Sequence, residues 1–367
     1  MANSQEHYKP EGRLGDDSLE LGSDPRINRK LLEALSSFGL DRRQPKPKLD
    51  RSSSIADIGE FMGQCDAQFQ GLYDIQPNEL PEDKNEPKVD RSVKTIKGVD
   101  GNDIDLHIFR KAGTEGETLP AVVYTHGGGM TIINTINRIH VRWLTSLAVA
   151  GVVAIAVDFR NAWTKSKHNP FPAGLNDCAA GVQYVASHKS ELGVGKIIIQ
   201  GESGGGNLAL ATTLKAKKEG WLDSIDGTYA NIPYISNAWG WPRERLLKEL
   251  PSTVASDGYF LGVKMMTLMG HYYTPTEQDS TNPLAWPYHA TEEDVRGLPP
   301  HYLAMDELDP LRDEGMAYYH KLSAAGVAVA AHVNLGVAHG SWGIFRQAIP
   351  EIFQAAVDSI AAFAKRV

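Results

Sequence analysis

The chain has 367 residues, of which 42% are hydrophobic and 22% are charged, and its formal net charge is −8. This length and apolar content suffice for a sizeable core, so we expect one large α/β domain with an accessory piece and exclude a disordered chain. The acidic balance argues against nucleic-acid binding, because lysine and arginine occur only in short groups.

The cysteines and the N-terminus indicate the compartment. Cys65 and Cys178 both lie in apolar helical patterns, where a cysteine usually acts as a small buried apolar group, so no disulfide framework is predicted. The first residues lack the apolar stretch of a leader, and no segment approaches the roughly 20 apolar residues of a membrane span. We therefore expect a soluble cytoplasmic protein whose residues 1–25, being polar, are loosely held.

The first 88 residues contain two predicted amphipathic helices. Ile27, Leu31, Leu35 and Phe38 recur on one face of the first helix. The second helix begins at Ser54 with an acidic residue three positions later, which is typical of an N-cap. Its polar face has almost no lysine or arginine, which disfavours a membrane-surface anchor. We predict that residues 1–88 form an N-terminal helical segment that contributes to a cap.

From residue 89 onward the pattern changes to short apolar segments. Two segments on either side of Asp100-Gly101 predict an antiparallel hairpin, and the later strands alternate with helices, as in a mostly parallel sheet covered on both faces. The predicted strands span residues 121–125, 152–158, 197–200, 229–235, 301–305 and 327–333, and the helices between them span 141–150, 175–188, 207–219 and 316–325. This α/β domain comprises residues 89–235 and 298–367.

Residues 236–297 interrupt the alternation of strands and helices. The segment is too long to be a plain connection and is rich in aromatic and methionine residues. We predict a cap insertion in which most of these side chains form a small core of their own, while some face the mouth above the sheet. The residues concerned are Trp239, Trp241, Met265, Met266, Met269, Tyr272, Tyr273 and Trp286.

The segment around Ser203 predicts a strand, a sharp turn and a helix. It reads Gly201-Glu-Ser-Gly-Gly205, the G-x-S-x-G pattern that exposes a strained serine between glycines. The alternatives are a turn without chemistry, a phosphate-binding loop and a dinucleotide fold. A phosphate-binding loop needs a lysine where Asn207 stands, and a dinucleotide fold needs its glycines near the start of the domain, so we favour a nucleophile elbow.

A serine nucleophile needs a base and an oxyanion hole. His339 lies in a glycine-bearing loop beyond the last strand and is the predicted base, whereas His332 lies inside that strand and is predicted to be structural. His126-Gly-Gly-Gly follows the strand 121–125 and can turn two backbone N–H groups toward an oxygen above Ser203, with the N–H of Gly204 as a third donor.

The base in turn needs an acid to orient it. Among the acids that follow the strand 301–305, four compete for this role, namely Asp306, Glu307, Asp309 and Asp313. We favour Asp309 because Pro310 fixes the backbone just after it, while Asp313 suits the start of the next helix. The order Ser, Asp, His along the chain is that of α/β-hydrolases.

Six short motifs occur together along residues 90–367. They are His126-Gly-Gly-Gly, Phe171-Pro-Ala, Gly201-Glu-Ser-Gly-Gly, Leu298-Pro-Pro, Asp309-Pro-Leu-Arg-Asp-Glu-Gly and Ala338-His-Gly. In this combination the chain resembles the hormone-sensitive-lipase family of carboxylesterases. The resemblance implies an α/β-hydrolase fold with a helical cap, with Ser203 as nucleophile, His339 as base and Asp309 as orienting acid. The oxyanion hole that it implies consists of Gly128, Gly129 and Gly204.

Two stretches depart from the family pattern. Residues 159–164 read Phe-Arg-Asn-Ala-Trp-Thr where the family usually has Tyr-Arg-Leu-Ala-Pro-Glu, which leaves the packing of this loop and the shape of the pocket open. Glu202 stands where aspartate is commoner, and we interpret it as support for its neighbours rather than as a catalytic acid.

The resulting prediction is a serine carboxylesterase that hydrolyses a small-molecule ester or lactone through an acyl-enzyme. No cofactor or metal is expected, because the chain has neither His-Glu-x-x-His nor a cluster of cysteine and histidine. The alternatives are a non-catalytic small-molecule receptor, which would be expected to lack a triad residue, and an amidase or peptidase. The apolar residues of the cap insertion favour a bulky apolar acyl group or lactone. The oligomeric state is left open.

Overall fold

One eight-stranded sheet organises residues 10–367, the part of the chain that the computed structural model describes. Its strands are β1 (Val89–Lys97), β2 (Asp103–Lys111), β3 (Leu119–Thr125), β4 (Val153–Val157), β5 (Val194–Glu202), β6 (Gly227–Asn231), β7 (His301–Asp306) and β8 (Val329–Asn334). Their order is β1-β2-β4-β3-β5-β6-β7-β8. Strand β2 runs antiparallel to β1 and β4, and the remaining neighbours are parallel, which confirms the predicted sheet and hairpin.

Helices flank this sheet and precede it in the chain. Two lie before the sheet, α1 (Arg29–Ser36) and α2 (Ile55–Ile75). Those that follow sheet strands are α3 (Arg138–Val149), α4 (Ala173–Ser187), α5 (Lys189–Leu192), α6 (Gly204–Glu219), α7 (Arg243–Glu249), α8 (Ser252–Ala255), α9 (Val263–Tyr273), α10 (Glu292–Val295), α11 (Arg312–Ala324), α12 (Ser341–Ile344) and α13 (Pro350–Arg366).

Local chemistry explains where several elements begin. The Oγ of Ser54 accepts a hydrogen bond from the backbone N–H of Asp57 at 3.1 Å, so α2 starts at the predicted N-cap. The central residues of β3 (121–123) and β5 (197–199) are continuous runs of β-branched and small apolar residues, and Val122 and Ile198 are fully buried. A parallel strand covered on both faces requires such a run rather than an alternating pattern.

Strand β6 ends earlier than the sequence predicts. The predicted strand runs through residues 229–235, but regular pairing stops at Asn231. Ile232 adopts a positive φ of 41°, and Pro233 has no N–H to donate to the sheet, so the chain turns away at this point. The turn brings the backbone N–H of Tyr234 within 3.1 Å of the carbonyl oxygen of Ser203.

The prediction of a loosely held N-terminus is wrong for residues 12–24. Leu21, Arg13 and Asp24 are all buried. The guanidinium of Arg13 donates to the backbone carbonyl of Asp257 at 2.7 Å, and a carboxylate oxygen of Asp24 accepts from the hydroxyl of Tyr259 at 3.1 Å. The sequence gives no sign of these contacts because both partners lie more than 200 positions away in the chain. Residues 1–9 lie outside the described range.

Most aromatic residues of the segment 236–297 are buried, but the prediction that they form a small core of their own is wrong, because Trp239, Tyr273 and Trp286 belong to the main apolar core. Trp286 is fully buried, and its ring packs edge-on against Tyr234 and Tyr273 at centroid distances of 5.1 and 5.7 Å. The indole N–H donates to the hydroxyl of Thr274 at 3.1 Å. The side-chain amide of Asn207, in the helix after the predicted elbow, donates to the carbonyl of Ala285 and so ties the insertion to the main domain.

Both cysteines are buried free thiols, as predicted. Burial, together with the charge of Asp66, raises the pKa of the Cys65 thiol to about 11. Cys65 therefore stays protonated near neutral pH and behaves as a small apolar side chain. Among the helices of residues 10–367, none is long and apolar enough to cross a membrane.

The buried face of α1 provides a test of whether the N-terminal segment is an integral part of the fold. Leu31 is fully buried in the main apolar core, so Leu31→Ala is expected to lower the free energy of unfolding by about 2–5 kcal/mol. The control is Leu335→Ala, because Leu335 is 73% exposed and its change is expected to stay within about 0.5 kcal/mol. Urea denaturation followed by circular dichroism measures both, and equal stabilities would contradict this packing.

Candidate active site

Ser203 lies at the turn between β5 and α6. Its backbone has φ 56° and ψ −118°, a left-handed conformation that is costly for a residue with a Cβ. The side chain lines a cavity and is largely buried. The turn therefore has the strain predicted for a nucleophile elbow and directs the serine hydroxyl into the cavity.

The glycines around Ser203 are required by close backbone packing. A Cβ on Gly205 would lie 1.9 Å from the carbonyl oxygen of Thr125, and a Cβ on Gly201 would lie 2.3 Å from the backbone of Gly205. Neither distance is sterically possible. The start of α6 is thus held directly against the end of β3, from which the His126-Gly-Gly-Gly loop departs.

His339 and Asp309 complete a hydrogen-bonded chain with Ser203. The Nε2 atom of His339 lies 2.9 Å from the Oγ of Ser203, and its Nδ1 atom lies 2.8 Å from the Oδ2 of Asp309. In the neutral imidazole, Nδ1–H donates to Asp309 and Nε2 accepts from the serine hydroxyl. The backbone N–H of Leu311 donates to the other oxygen of Asp309 at 2.8 Å and fixes that carboxylate.

The acids that compete with Asp309 have other partners. Asp306 accepts from the backbone N–H of Gly340 at 2.9 Å, and Glu307 accepts from that of Gly336 at 2.7 Å, so both support the loop that carries His339. Asp313 lies in the first turn of α11, as predicted, and accepts from the backbone N–H of Ser252. His332 is half-buried on β8, where its Nδ1 lies 3.2 Å from the hydroxyl of Tyr302.

The surroundings of His339 raise the pKa of its imidazole. Burial alone would lower the pKa of this imidazole, but the charge of Asp309, its hydrogen bond and the charges of Asp306 and Glu202 outweigh burial and raise it. Asp309 therefore stabilises the imidazolium form. This is the electrostatic requirement of a base that must hold a proton during a reaction.

The glycine-rich loop presents free donors beside Ser203. Gly128 and Gly129 have positive φ values of 114° and 60°, and a Cβ on Gly129 would lie 1.9 Å from the sulfur of Met269. A Cβ on Gly204 would lie 2.4 Å from the backbone nitrogen of Met130, so the loop and the start of α6 are in contact. The N–H groups of Gly128, Gly129 and Gly204 donate to no acceptor within residues 10–367. They are available for an oxygen bound near Ser203.

Glu202 holds the glycine-rich loop in place. Its Oε1 atom accepts hydrogen bonds from the hydroxyl of Tyr124 and from the backbone N–H of Gly127, both at 2.7 Å. Burial raises the pKa of Glu202 to about 7, although these hydrogen bonds act in the opposite direction. The contacts agree with the predicted supporting role. The sequence did not point to Tyr124, whose position two residues before His126 was the available signal.

The departure from the family pattern at Phe159 is accommodated by stacking. The rings of Phe159 and His126 are stacked with centroids 4.4 Å apart. The ring of His140 also stacks on that of His126, with centroids 5.4 Å apart. Burial lowers the pKa of His126 to about 4 and that of His140 to about 3, so both imidazoles are neutral. Their stacked rings support the glycine-rich loop where it begins.

The cavity at Ser203 is lined mainly by apolar side chains. The insertion contributes Met265, Met266 and Met269, as its methionine content suggests, whereas Trp239 and Trp286 do not line the cavity and belong to the main apolar core. Phe260 of the insertion is also in the wall, but most of the aromatic lining residues come from elements that the sequence did not indicate. They are Phe69 and Tyr73 from α2, Trp143 from α3, and Trp342 and Phe353 from the C-terminal helices.

Comparison with known proteins identifies the family. A family model described as the alpha/beta hydrolase fold matches residues 122–343. The chain therefore belongs to the α/β-hydrolase family. Its structure matches that of brefeldin A esterase, described as a bacterial homologue of human hormone-sensitive lipase, with a TM-score of 0.95 and 50% identity over 97% of this chain and 98% of the other.

Two further relatives support the assignment. The structure of esterase Est22 matches with a TM-score of 0.83 and 34% identity, over 95% of this chain and all of the other. Carboxylesterase NlhH of Mycobacterium tuberculosis is 28% identical over 281 residues, which cover 75% of this chain and 82% of that protein. These similarities confirm the predicted hormone-sensitive-lipase family and the enzyme class, carboxylic ester hydrolase.

Substitutions at Glu202 test whether it positions the glycine-rich loop. Glu202→Ala leaves the buried donors of Tyr124 and Gly127 unpaired, so we expect lower thermal stability and a loss of kcat/KM of about tenfold or more with p-nitrophenyl acetate. Glu202→Gln is the matched control, because its amide oxygen can still accept both bonds. Equal activities of the two variants would contradict this positioning role.

Proposed function

We propose that the protein is a serine esterase that acts through an acyl-enzyme, with Ser203 as nucleophile, His339 as base and Asp309 as orienting acid. The observation that carries the proposal is the continuous hydrogen-bonded chain of the three side chains, with separations of 2.9 and 2.8 Å, at the floor of an apolar cavity. Hydroxyl, imidazole and carboxylate in this order constitute the arrangement that activates a serine.

The first half of the reaction acylates the serine. As the Oγ of Ser203 forms a bond to the ester carbonyl carbon, its proton passes to Nε2 of His339, and Asp309 stabilises the resulting imidazolium. The carbonyl oxygen becomes an oxyanion that accepts hydrogen bonds from the three N–H groups of Gly128, Gly129 and Gly204. When the bond from carbon to the leaving oxygen breaks, the imidazolium returns its proton to that oxygen, and the alcohol is formed.

The second half of the reaction restores the enzyme. Water attacks the carbonyl carbon of the acyl-enzyme while His339 takes one of its protons, and the same N–H groups hold the second oxyanion. The bond to Ser203 breaks, His339 returns the proton to the serine oxygen, and a carboxylic acid is released that ionises at neutral pH. A lactone follows the same steps, with the alcohol and the acid ending in one molecule.

We further propose that residues 1–88 and 236–297 together act as a cap over Ser203. Phe69 on α2 and Met265 on α9 line the cavity from these two segments. The two helices pack closely, since a Cβ on Gly59 would lie 3.1 Å from the hydroxyl of Tyr272. A cap of this kind excludes water and selects substrates by shape.

A bulky apolar ester or lactone is the substrate class that we propose. The cavity wall is mainly apolar, with methionines that adapt to irregular shapes and aromatic rings that offer large contact areas. The similar structure of brefeldin A esterase carries the name of a macrolide lactone, which supports brefeldin A itself as a candidate.

Labelling tests the serine mechanism. An organophosphate is expected to add a single covalent group at Ser203, identified by peptide mass spectrometry, because the hydroxyl is activated by His339. Ser203→Ala is expected to abolish both labelling and ester hydrolysis while the fold is retained. Ser187→Ala is the control, since Ser187 is exposed on α4 and its loss is expected to leave activity unchanged. An active Ser203→Ala variant would refute the proposed nucleophile.

A substrate panel tests the proposed substrate class. We expect conversion of brefeldin A to its ring-opened hydroxy acid, detected as a mass gain of one water, together with hydrolysis of bulky p-nitrophenyl esters. Ser203→Ala should show neither reaction. If short linear esters are hydrolysed in a Ser203-dependent way but the lactone is untouched, the esterase mechanism stands and the lactone assignment is wrong. An amide of the preferred acyl group separates an esterase from an amidase.

A further inference from the structure

A second cavity adjoins the one that contains Ser203. Its walls come from residues 38–47, from α2 and from residues 257–265 of the insertion. Phe69, Phe260 and Met265 line both cavities, so these side chains form the boundary between them. We call this second cavity the outer groove.

The outer groove combines apolar walls with positive charge. Apolar side chains such as Phe61 and Leu72 cover most of it, whereas its charged residues are three cations and one carboxylate, Asp257. Lys46 lies 3.6 Å from Asp257 and compensates it. The other two cations leave a net positive groove on a chain whose overall charge is −8. Those two residues are Arg43 and Lys264.

Lys264 is the cation best placed to bind a ligand. It is half-buried near the start of α9 and has an electrostatic interaction with Asp50. Within residues 10–367 it forms neither a hydrogen bond nor an ion pair. Arg43 is more exposed and already donates to the backbone carbonyl of Asp17 at 2.9 Å. A partly desolvated ammonium group beside apolar walls favours an anion that brings its own apolar tail.

The boundary residue Phe260 is held by strained backbone. It has a positive φ of 64°, and its neighbours Tyr259 and Leu261 are both buried and bridged to each other. The hydroxyl of Tyr259 is bonded to Asp24, which ties this loop to the N-terminal segment. Strain of this kind persists only where the surrounding structure fixes it, and here it presents an aromatic ring to both cavities.

We propose that the outer groove binds an amphipathic carboxylate, the chemical class of product that ester hydrolysis releases, with Lys264 as its anion-binding residue. The apolar part of the ligand lies against Phe69, Phe260 and Met265, and the carboxylate lies at Lys264. Hydrolysis converts a neutral ester into an anion, so a positive groove next to the catalytic cavity offers the product a site with complementary charge. This inference rests on the proposed ester hydrolysis in one respect, namely that the bound anion is the carboxylate product of that reaction.

Inhibition by a matched pair of ligands tests this site. Hydrolysis of p-nitrophenyl acetate is measured with octanoate and with octan-1-ol, which share a chain and differ in charge. Lys264→Gln is expected to raise the inhibition constant of octanoate roughly tenfold, as for loss of a hydrogen bond to a charged group. It should leave inhibition by octan-1-ol and turnover of the acetate ester unchanged. Lys264→Arg should retain octanoate inhibition.

Lys248→Gln is the matched control, because Lys248 is an exposed lysine of the same insertion. An unchanged inhibition constant for octanoate in Lys264→Gln would overturn the proposal and would indicate that the carboxylate binds at the glycine-rich loop instead. The proposal would also be overturned if Lys264→Gln weakened inhibition by octan-1-ol as much as inhibition by octanoate. Calorimetric binding of octanoate to the Ser203→Ala protein separates this inference from the proposed mechanism, since it requires no turnover.

Discussion

The contact between the elbow and the end of β3 is the constraint on which the site depends. The backbone of Gly205 approaches the carbonyl of Thr125 so closely that a Cβ would lie 1.9 Å from that oxygen, and the hydroxyl of Thr125 donates to the carbonyl of Gly205 at 2.8 Å. This contact places the N–H of Gly204 beside the glycine-rich loop that leaves β3. The strained φ of Ser203 costs conformational free energy. The packing of the sheet against α6 offsets this cost.

The residues that perform the proposed chemistry lie on loops, but buried carboxyl groups at strand ends hold those loops. Glu202, the last residue of β5, binds the backbone of Gly127, and Asp306, the last residue of β7, binds the backbone of Gly340 beside His339. Burial raises the pKa of each to about 7, and for Asp306 the charge of Asp309 adds to the effect. The position of both loops is therefore linked to groups that titrate near neutral pH.

Local patterns made the central part of this molecule predictable. The alternation of strands and helices gave the parallel sheet, and the elbow motif required its glycines for steric reasons that operate within a few residues. Asp309 could be distinguished from Asp313 because a helix start has its own signature. The end of β6 at Ile232 and the binding of Arg13 to residue 257 were not predictable, because a hydrophobic period indicates that a side chain is buried but not which distant partner buries it.

The residues of the proposed reaction are predictable from local motifs, whereas the residues that determine its selectivity are not. The chain of hydrogen bonds at Ser203 follows from motifs, whereas the cavity boundary is assembled from elements far apart in sequence, with Phe69 on α2 and Phe260 in the insertion. Phe260 is oriented by a strained loop that Asp24 anchors through Tyr259. The N-terminal segment thus acts on the cavity at two points, by lining it and by holding the insertion loop. Changes in this segment can alter which esters fit without touching any residue of the hydrogen-bonded chain.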